Sequence, residues 1–406
     1  MNIIFITPRF DEHSGGDGLY AYYLTSAISR KYSYNCIVFT IENDNFVVKE
    51  FDKHYNKFVI KEKYGSIPVI EKPLVQNIYN PKLSRYTYDL LNKSKPDIIH
   101  IHGIHQYFTI SCFDVLKNFK IPKVFTIHDY KLLCGNAGFF SNRTSDICLK
   151  CLNGKTLYPL TERCKENSIV KSAGIMLQMS LWKQRRFLQN INYFHCGSKF
   201  VYSLLSRNRL LKNKLNYIRF PILKDVSGNS TIRLNIVYIG RFVPHKGITI
   251  FAETVKDINN ISINIFGDGK EKSVAENILK GKSNVKFYGW RTHKEISESL
   301  HLGTIVIVPY LVHETFCYVV LESMLAGCCV VASDRGAISE LISNGKNGVL
   351  INNIHANNFR TELYDLLRNP SRIYELGKNA MMISYSVDDL STHTEKMIDF
   401  YKKIVD

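Results

Sequence analysis

The sequence predicts an α/β protein of two doubly wound domains, each with a parallel sheet. Three observations predict it. Short runs rich in Ile and Val alternate with helix-length mixed segments through both halves of the chain. A polar stretch, "RFPILKDVSGNSTIRL" at 219–234, separates the two sets; its Pro221 and Gly228 suit a linker. The chain has 406 residues, too many for one ordinary core and suited to two domains of about 150–200 residues each. The expected bounds are 1–222 for the first domain and 223–385 for the second. A C-terminal amphipathic helix is expected over 386–406.

In the first half, "NIIFIT" (2–7), "NCIVFT" (35–40), "DIIHIH" (97–102) and "KVFTIH" (123–128) read as strands buried on both faces. In the second half, "LNIVYIG" (234–240), "ISINIFG" (261–267), "VKFYG" (285–289), "TIVIVPY" (304–310) and "CCVVAS" (328–333) repeat the pattern. The tail "LSTHTEKMIDFYKKIVD" places Met397, Ile398, Phe400, Tyr401 and Ile404 at helical spacing. That helix must dock an apolar face and can return to the first domain. Open parallel sheets bind ligands beyond the carboxyl ends of their strands, so chemistry is sought just after each run.

Composition narrows the class. A hydrophobic fraction of 45% and a charged fraction of 22% are those of a globular protein. No run of 18 apolar residues exists, and "MNIIFITPRF" reads as a first strand rather than a signal peptide. Cytoplasmic residence is expected, with the ten cysteines reduced or metal-bound. The net charge of +17 is lopsided: residues 1–222 hold 32 basic and 16 acidic groups, and residues 151–222 alone hold 13 and 2. Such a field favours an anionic partner. The basic segment lacks a nucleic-acid motif, so nucleic acid is not expected as that partner. "MLQMSLWKQRRFLQNINYF" (176–194) and "YSLLSRNRLLKNKLNYIRF" (202–220) interleave apolar and basic residues. They suit either a buried helix with a solvated basic face or the surface of an anionic membrane.

Gly15, Gly16 and Gly18 follow the first strand and precede an apolar-periodic helix, where backbone N–H groups can approach a phosphate. The spacing is neither the dinucleotide fingerprint nor a Walker loop, and a plain flexible loop fits as well. "IGRFVPHKGITIF" sets Arg241 and Lys246 beyond a strand, with Gly247 opening the next helix. This suits a pyrophosphate, and equally two solvated cations. "FTIHDYKLL" puts His128 and Asp129 at a strand end. His100 and His102 share one strand face and read as core or cleft-wall residues, with a metal pair as the other reading. "HETFCYVVLE" (313–322) places Glu314 in a loop and Glu322 inside a helix. That helix is expected from Phe316 to Ala326, capped by Thr315 and stopped by Gly327. The two carboxylates can hold two hydroxyl-bearing parts of one elongated ligand, while N–H groups of residues 315–317 meet its phosphates.

"E-x7-E", preceded by "GR-x4-KG" and followed by "AGCCVVASDRGAISELISNGKNGVLI", resembles the carboxyl-terminal half of the retaining, nucleotide-sugar-dependent glycosyltransferases of the group 1 family. The glycine loop and the "HD" extend the likeness over most of the chain. The resemblance implies a GT-B fold, two Rossmann-like domains facing across a cleft. It implies that Glu314 contacts the donor sugar, Glu322 holds the ribose, and Arg241 and Lys246 hold the diphosphate. Gly16 would back that diphosphate, and His128 would meet the sugar from the first domain. Gly15, Thr315, Phe316 and Cys317 fall in the same donor-binding motifs. Two departures stand out: Cys317 where the family commonly has glycine, and Thr315 where it often has Gly or Pro.

The implied activity is transfer of a sugar from a nucleotide diphosphate sugar, with retention, in cell-surface polysaccharide biosynthesis. The acceptor would be a glycan or a polyprenyl-diphosphate-linked saccharide at the inner face of the cell membrane. No D-x-D stands at a strand end, so no catalytic metal is expected. The alternatives are a GT-B sugar-nucleotide epimerase and a catalytically silent homologue that binds nucleotide or glycan. Cys134, Cys148, Cys151 and Cys164 form "C-x13-C-x2-C-x12-C" in an insertion at about 130–170. The pattern suits a structural zinc more than four unrelated thiols, and disulfides least. The other six cysteines read as small core residues.

Overall fold

The computed structural model describes residues 1–12, 15–66, 79–103, 108, 110–223 and 232–406. The chain forms two compact units. The first comprises Met1–Phe139, Cys148–Leu223 and Asp389–Asp406; the second comprises Phe140–Ile147 and Lys224–Asp388. Half of the expected linker, 224–231, lies outside the described residues.

The first unit is built on an eight-stranded sheet. Its strands are β1 (Asn2–Ile6), β2 (Asn35–Glu42), β3 (Asn45–Asp52), β4 (Lys57–Ser66), β5 (Ile98–His102) and β6 (Lys123–Ile127). After a short antiparallel ribbon of β7 (Phe140–Ser141) and β8 (Asp146–Ile147) come β9 (Tyr193–Cys196) and β10 (Leu215–Tyr217). The sheet order is β10-β9-β6-β5-β1-β2-β3-β4. It is parallel from β10 to β2, and β3 and β4 add an antiparallel edge. The Ile-rich middle of β1, β5 and β6 is fully buried, as expected of strands covered on both faces. The edge pair escaped the sequence reading because "NFVVKEFD" and "KFVIKEKYGS" mix apolar with charged residues, as solvated edges do.

The second unit has a fully parallel six-stranded sheet. It consists of β11 (Asn235–Ile239), β12 (Ser262–Phe266), β13 (Val285–Gly289), β14 (Thr304–Val308), β15 (Cys329–Ser333) and β16 (Val349–Ile351), in the order β13-β12-β11-β14-β15-β16. Its core includes Ile236, Tyr238, Phe251, Ile265, Ile307 and Val331.

The C-terminal helix, Leu390–Val405, belongs to the first unit and packs on the first helix, Gly16–Lys31. It buries His393, Thr394, Met397, Ile398 and Tyr401. Among the described residues no helix is long and apolar enough to cross a membrane.

Candidate functional site

In the second unit the site is assembled at the carboxyl ends of β11 and β14. Past β11, Gly240 lies where a Cβ would meet the Tyr310 hydroxyl at 2.9 Å, and Arg241 follows it, exposed to solvent. A single turn of 3₁₀ helix, Pro244–Lys246, then leads into the helix Ile248–Val255. The joint is Gly247, at φ 66°. A Cβ there would stand 2.1 Å from the Pro309 carbonyl oxygen, so only glycine lets the turn close on the end of β14. The Leu311 N–H donates to the His245 carbonyl at 2.9 Å, locking the two loops together.

That closure brings Lys246 to Glu314. Lys246 Nζ lies 2.6 Å from Glu314 Oε1 and 4.1 Å above the centre of the Tyr310 ring, with both charged side chains mostly buried. The Tyr310 hydroxyl donates to the Ile239 carbonyl at 2.6 Å, which fixes the ring under the ammonium. Burial holds the Tyr310 phenol well above its ordinary range, so it stays a neutral donor. Glu314 itself is held by its backbone. It bridges Gly336, and its carbonyl accepts from the Ala337 N–H at 2.9 Å. Gly336, at φ 67°, allows this approach, since a Cβ would sit 2.4 Å from the Glu314 oxygen.

The helix after Glu314 differs from the expectation. It spans Tyr318–Leu325, not Phe316–Ala326, and Cys317 rather than Thr315 occupies the capping position. Cys317 adopts a left-handed conformation, φ 70° and ψ 71°, and that turn delays the helix by two residues. It is the backbone shape that explains why glycine is common at this point of the motif. Burial, and then the charge of Glu314, pushes the Cys317 thiol up to about 12. Phe316 is buried, with its ring edge-on to Tyr318 at 4.9 Å. Glu322 is the fifth residue of the helix, and its Oε2 lies 3.3 Å from His293 Nδ1.

Sequence reasoning missed His245, Tyr310, Gly336 and His293. Burial, then Lys246 and Arg241, lowers His245 to about 4, keeping it neutral beside the two cations. The β7–β8 ribbon also belongs to this unit. Phe140 lies 6.3 Å from the His245 ring, and the charge of Asp146 acts on His313.

In the first unit the glycine loop leads into its helix as expected. Gly15 is the capping residue and Gly16 the first helical one, with the Leu19 N–H donating to the Gly15 carbonyl at 3.0 Å. His128 lies just past β6, its ring stacked on Phe220 at 5.5 Å and 9°. Burial lowers it to about 4 against the opposing charge of Asp17, a helix residue that the sequence did not flag. His128 is one of five neighbouring histidines. His128 Nε2 lies 3.2 Å from His102 Nδ1, and His100 lies 2.6 Å from Thr126 Oγ1 and 2.5 Å from the Tyr401 hydroxyl. Thr126 also meets His195 at 3.0 Å, while His393 contacts the Tyr20 hydroxyl and the Arg219 carbonyl, each at 2.8 Å. His100 and His102 are therefore core residues, as their strand-face spacing suggested.

All ten cysteines are free thiols. Cys134, Cys148, Cys151 and Cys164 lie near enough to act on one another. Burial first, and then the neighbouring thiols, pushes Cys151 and Cys164 up to about 12 and raises Cys134 as well. The Cys134 thiol donates to Asn136 Oδ1 at 2.9 Å. Among the described residues, no three or more His, Cys, Asp or Glu side chains are grouped to hold a metal ion.

Residues 233–369 match the family model described as glycosyl transferases group 1. An uncharacterized glycosyltransferase of Methanocaldococcus jannaschii is 27% identical over 52% of this chain and 61% of its own length. Lipopolysaccharide 1,2-N-acetylglucosaminetransferase of Salmonella typhimurium is 26% identical over 40% of this chain and 47% of its own. The chain thus spans about half the length of these curated relatives. Two solved structures match along their whole length. Sucrose-phosphate synthase from Thermosynechococcus elongatus gives a TM-score of 0.72 at 16% identity, covering 99% of this chain and 98% of its own. Anabaena HepE in complex with UDP-glucose gives 0.67 at 15%, covering 99% and 100%. The chain therefore carries the group 1 glycosyl transferase signature over residues 233–369 and has the two-sheet α/β fold of the GT-B glycosyltransferases.

Proposed function

We propose that the protein transfers a sugar from a nucleotide diphosphate sugar to a glycan or polyprenyl-diphosphate-linked saccharide, with retention of anomeric configuration, in cell-surface polysaccharide biosynthesis. The observation that carries the reading is the Lys246–Glu314 pair at the ends of β11 and β14, beside Arg241. In this reading Arg241 and Lys246 bind the diphosphate, and their charge stabilises it as it leaves. Glu314 orients the donor sugar and releases Lys246 toward the phosphates when donor arrives. Glu322 accepts hydrogen bonds from the ribose. Thr315, Phe316 and Cys317 shape the donor loop, and Gly15, Gly16 and His128 are the candidate donor-binding and catalytic residues of the first unit. The Anabaena protein bound to UDP-glucose supports a nucleotide sugar as donor, and the Salmonella relative supports a surface-saccharide role. Epimerisation and silent nucleotide binding are not favoured, since the matched proteins are described as transferases and synthases.

A thermal-shift screen against nucleotide diphosphate sugars tests the reading, followed by transfer to saccharide acceptors with the stabilising donor. A shift by one donor and an α-linked product from an α-linked donor are expected. An inverted product removes retention. Interconversion of the donor without acceptor replaces the transferase with the epimerase.

A further inference from the structure

The topological switch point of the second unit falls between β11 and β14. From there the sheet continues to β12 and β13 on one side and to β15 and β16 on the other. The β11–β14 ladder pairs Asn235–Val237 with Thr304–Val306 and goes no further, although the strands run on to Ile239 and Val308. Tyr310 joins their ends instead: its hydroxyl donates to the Ile239 carbonyl at 2.6 Å. Tyr238 holds the loop that follows, its hydroxyl 3.0 Å from the Lys246 carbonyl and 3.4 Å from that of Arg241. Both hydroxyls crowd Gly240, where a Cβ would meet them at 2.9 and 3.1 Å. The ring that bridges the strand ends is also the one over which Lys246 Nζ stands, 4.1 Å from its centre. The ammonium therefore has two partners, that ring and Glu314 Oε1 at 2.6 Å.

We propose that Tyr310 is a positioning residue for diphosphate binding, its ring carrying the Lys246 ammonium once Glu314 has turned to the donor sugar. The inference rests on the reading of Lys246 as a diphosphate ligand. The two partners differ in what else they must do. Glu314 holds the ammonium only while the sugar is absent, because one carboxylate cannot serve both. The ring has no competing task. A cation seated on a ring face keeps N–H groups free on its other side, and an ammonium has three to share with phosphate oxygens. Without the ring, the four-carbon stem regains rotamer freedom that binding must then remove. The hydroxyl fixes the angle of the ring, and the aromatic face does the holding.

Calorimetry with UDP, ADP and GDP, and with the matching nucleosides, tests this. Lys246→Met should weaken the tightest of the three diphosphates by roughly 10- to 100-fold and spare its nucleoside. Tyr310→Leu should weaken the same diphosphate by about 3- to 30-fold, again sparing the nucleoside. In the Lys246→Met background Tyr310→Leu should add no further loss, because the ring acts through the ammonium. Tyr310→Phe should bind within about threefold of the parent, since it keeps the ring face. Tyr310 is buried, so the ring is also varied without loss of packing. Phenylalanines of increasing fluorination at position 310 should weaken diphosphate binding stepwise, as the ring face loses its negative character. Equal diphosphate affinity of Tyr310→Leu and the parent, losses that add in the double variant, or fluorination without effect overturns the proposal and leaves the proposed function standing. A parent that binds none of the three diphosphates, or full affinity in Lys246→Met, overturns both.

Discussion

Acidification should unfold the first unit before ordinary carboxylate titration does. The groups responsible are His100, His102, His128, His195 and His393, which burial forces to be neutral in the fold. The unfolded chain binds their protons near pH 6.5, while the folded chain resists them, so stability is full above about 6.5 and falls with pH below it. His128 and His195, both held to about 4, set a floor on the size. At pH 5 each costs about 2 kcal/mol relative to pH 8, or about 4 kcal/mol together. His100, His102 and His393 shift the same way and add to the loss. The facing groups differ in sign. Asp17 favours a proton on His128, whereas Lys396 opposes one on His393, and mutual repulsion opposes protonation of His100 and His102. A domain stable by about 5–15 kcal/mol would then be marginal near pH 5. Urea unfolding followed by circular dichroism across this range measures the loss. His393→Gln should flatten the pH slope by up to one proton, about 1.4 kcal/mol per pH unit. Equal stability at pH 8 and pH 5, or a loss confined to below pH 4, would refute the account.

Glu322→Gln should weaken nucleoside diphosphate affinity by roughly 10- to 100-fold, measured by calorimetry. Glu314→Gln should mainly lower turnover at saturating donor. Gly336→Ala forces a Cβ against the Glu314 carbonyl. It should cut donor binding and activity together with a loss of about 1–3 kcal/mol in stability, read from a denaturant curve. A thiol reagent at pH 8 should modify half-buried Cys148 first, and the nine buried cysteines only on unfolding. Slow labelling of Cys148, restored to fast by a chelator, would instead show the four-cysteine segment closed on a metal.

The sheets were legible because their strands are buried on both faces and so read as continuous Ile and Val runs. β3, β4, β9, β10 and β16 were not, being edge strands or short strands with mixed faces. β10 in particular lies inside 202–220, a basic stretch that suited a buried helix or a membrane surface. The motif residues Arg241, Lys246, Glu314 and Glu322 were legible, since order and spacing carry them. What spacing cannot carry is the backbone shape between them. The left-handed Cys317 moved the helix start, and the pairing of Glu314 with Gly336 joins residues 22 apart in sequence. Tyr310 and His245 took their meaning only from the closure of two loops at Gly247.

The return of the C-terminal helix has a consequence for synthesis. Tyr401 closes on His100 across 301 positions, and His393 closes on Tyr20 across 373. A ribosome must therefore make the whole second unit before the first can bury its histidines. Until then Tyr20, His100 and their neighbours face an open groove on the nascent chain. The second unit, whose sheet lies within 235–351, can form while that groove waits. The half made first is thus the half finished last, and a stall or truncation before residue 390 would leave its damage in the amino-terminal unit.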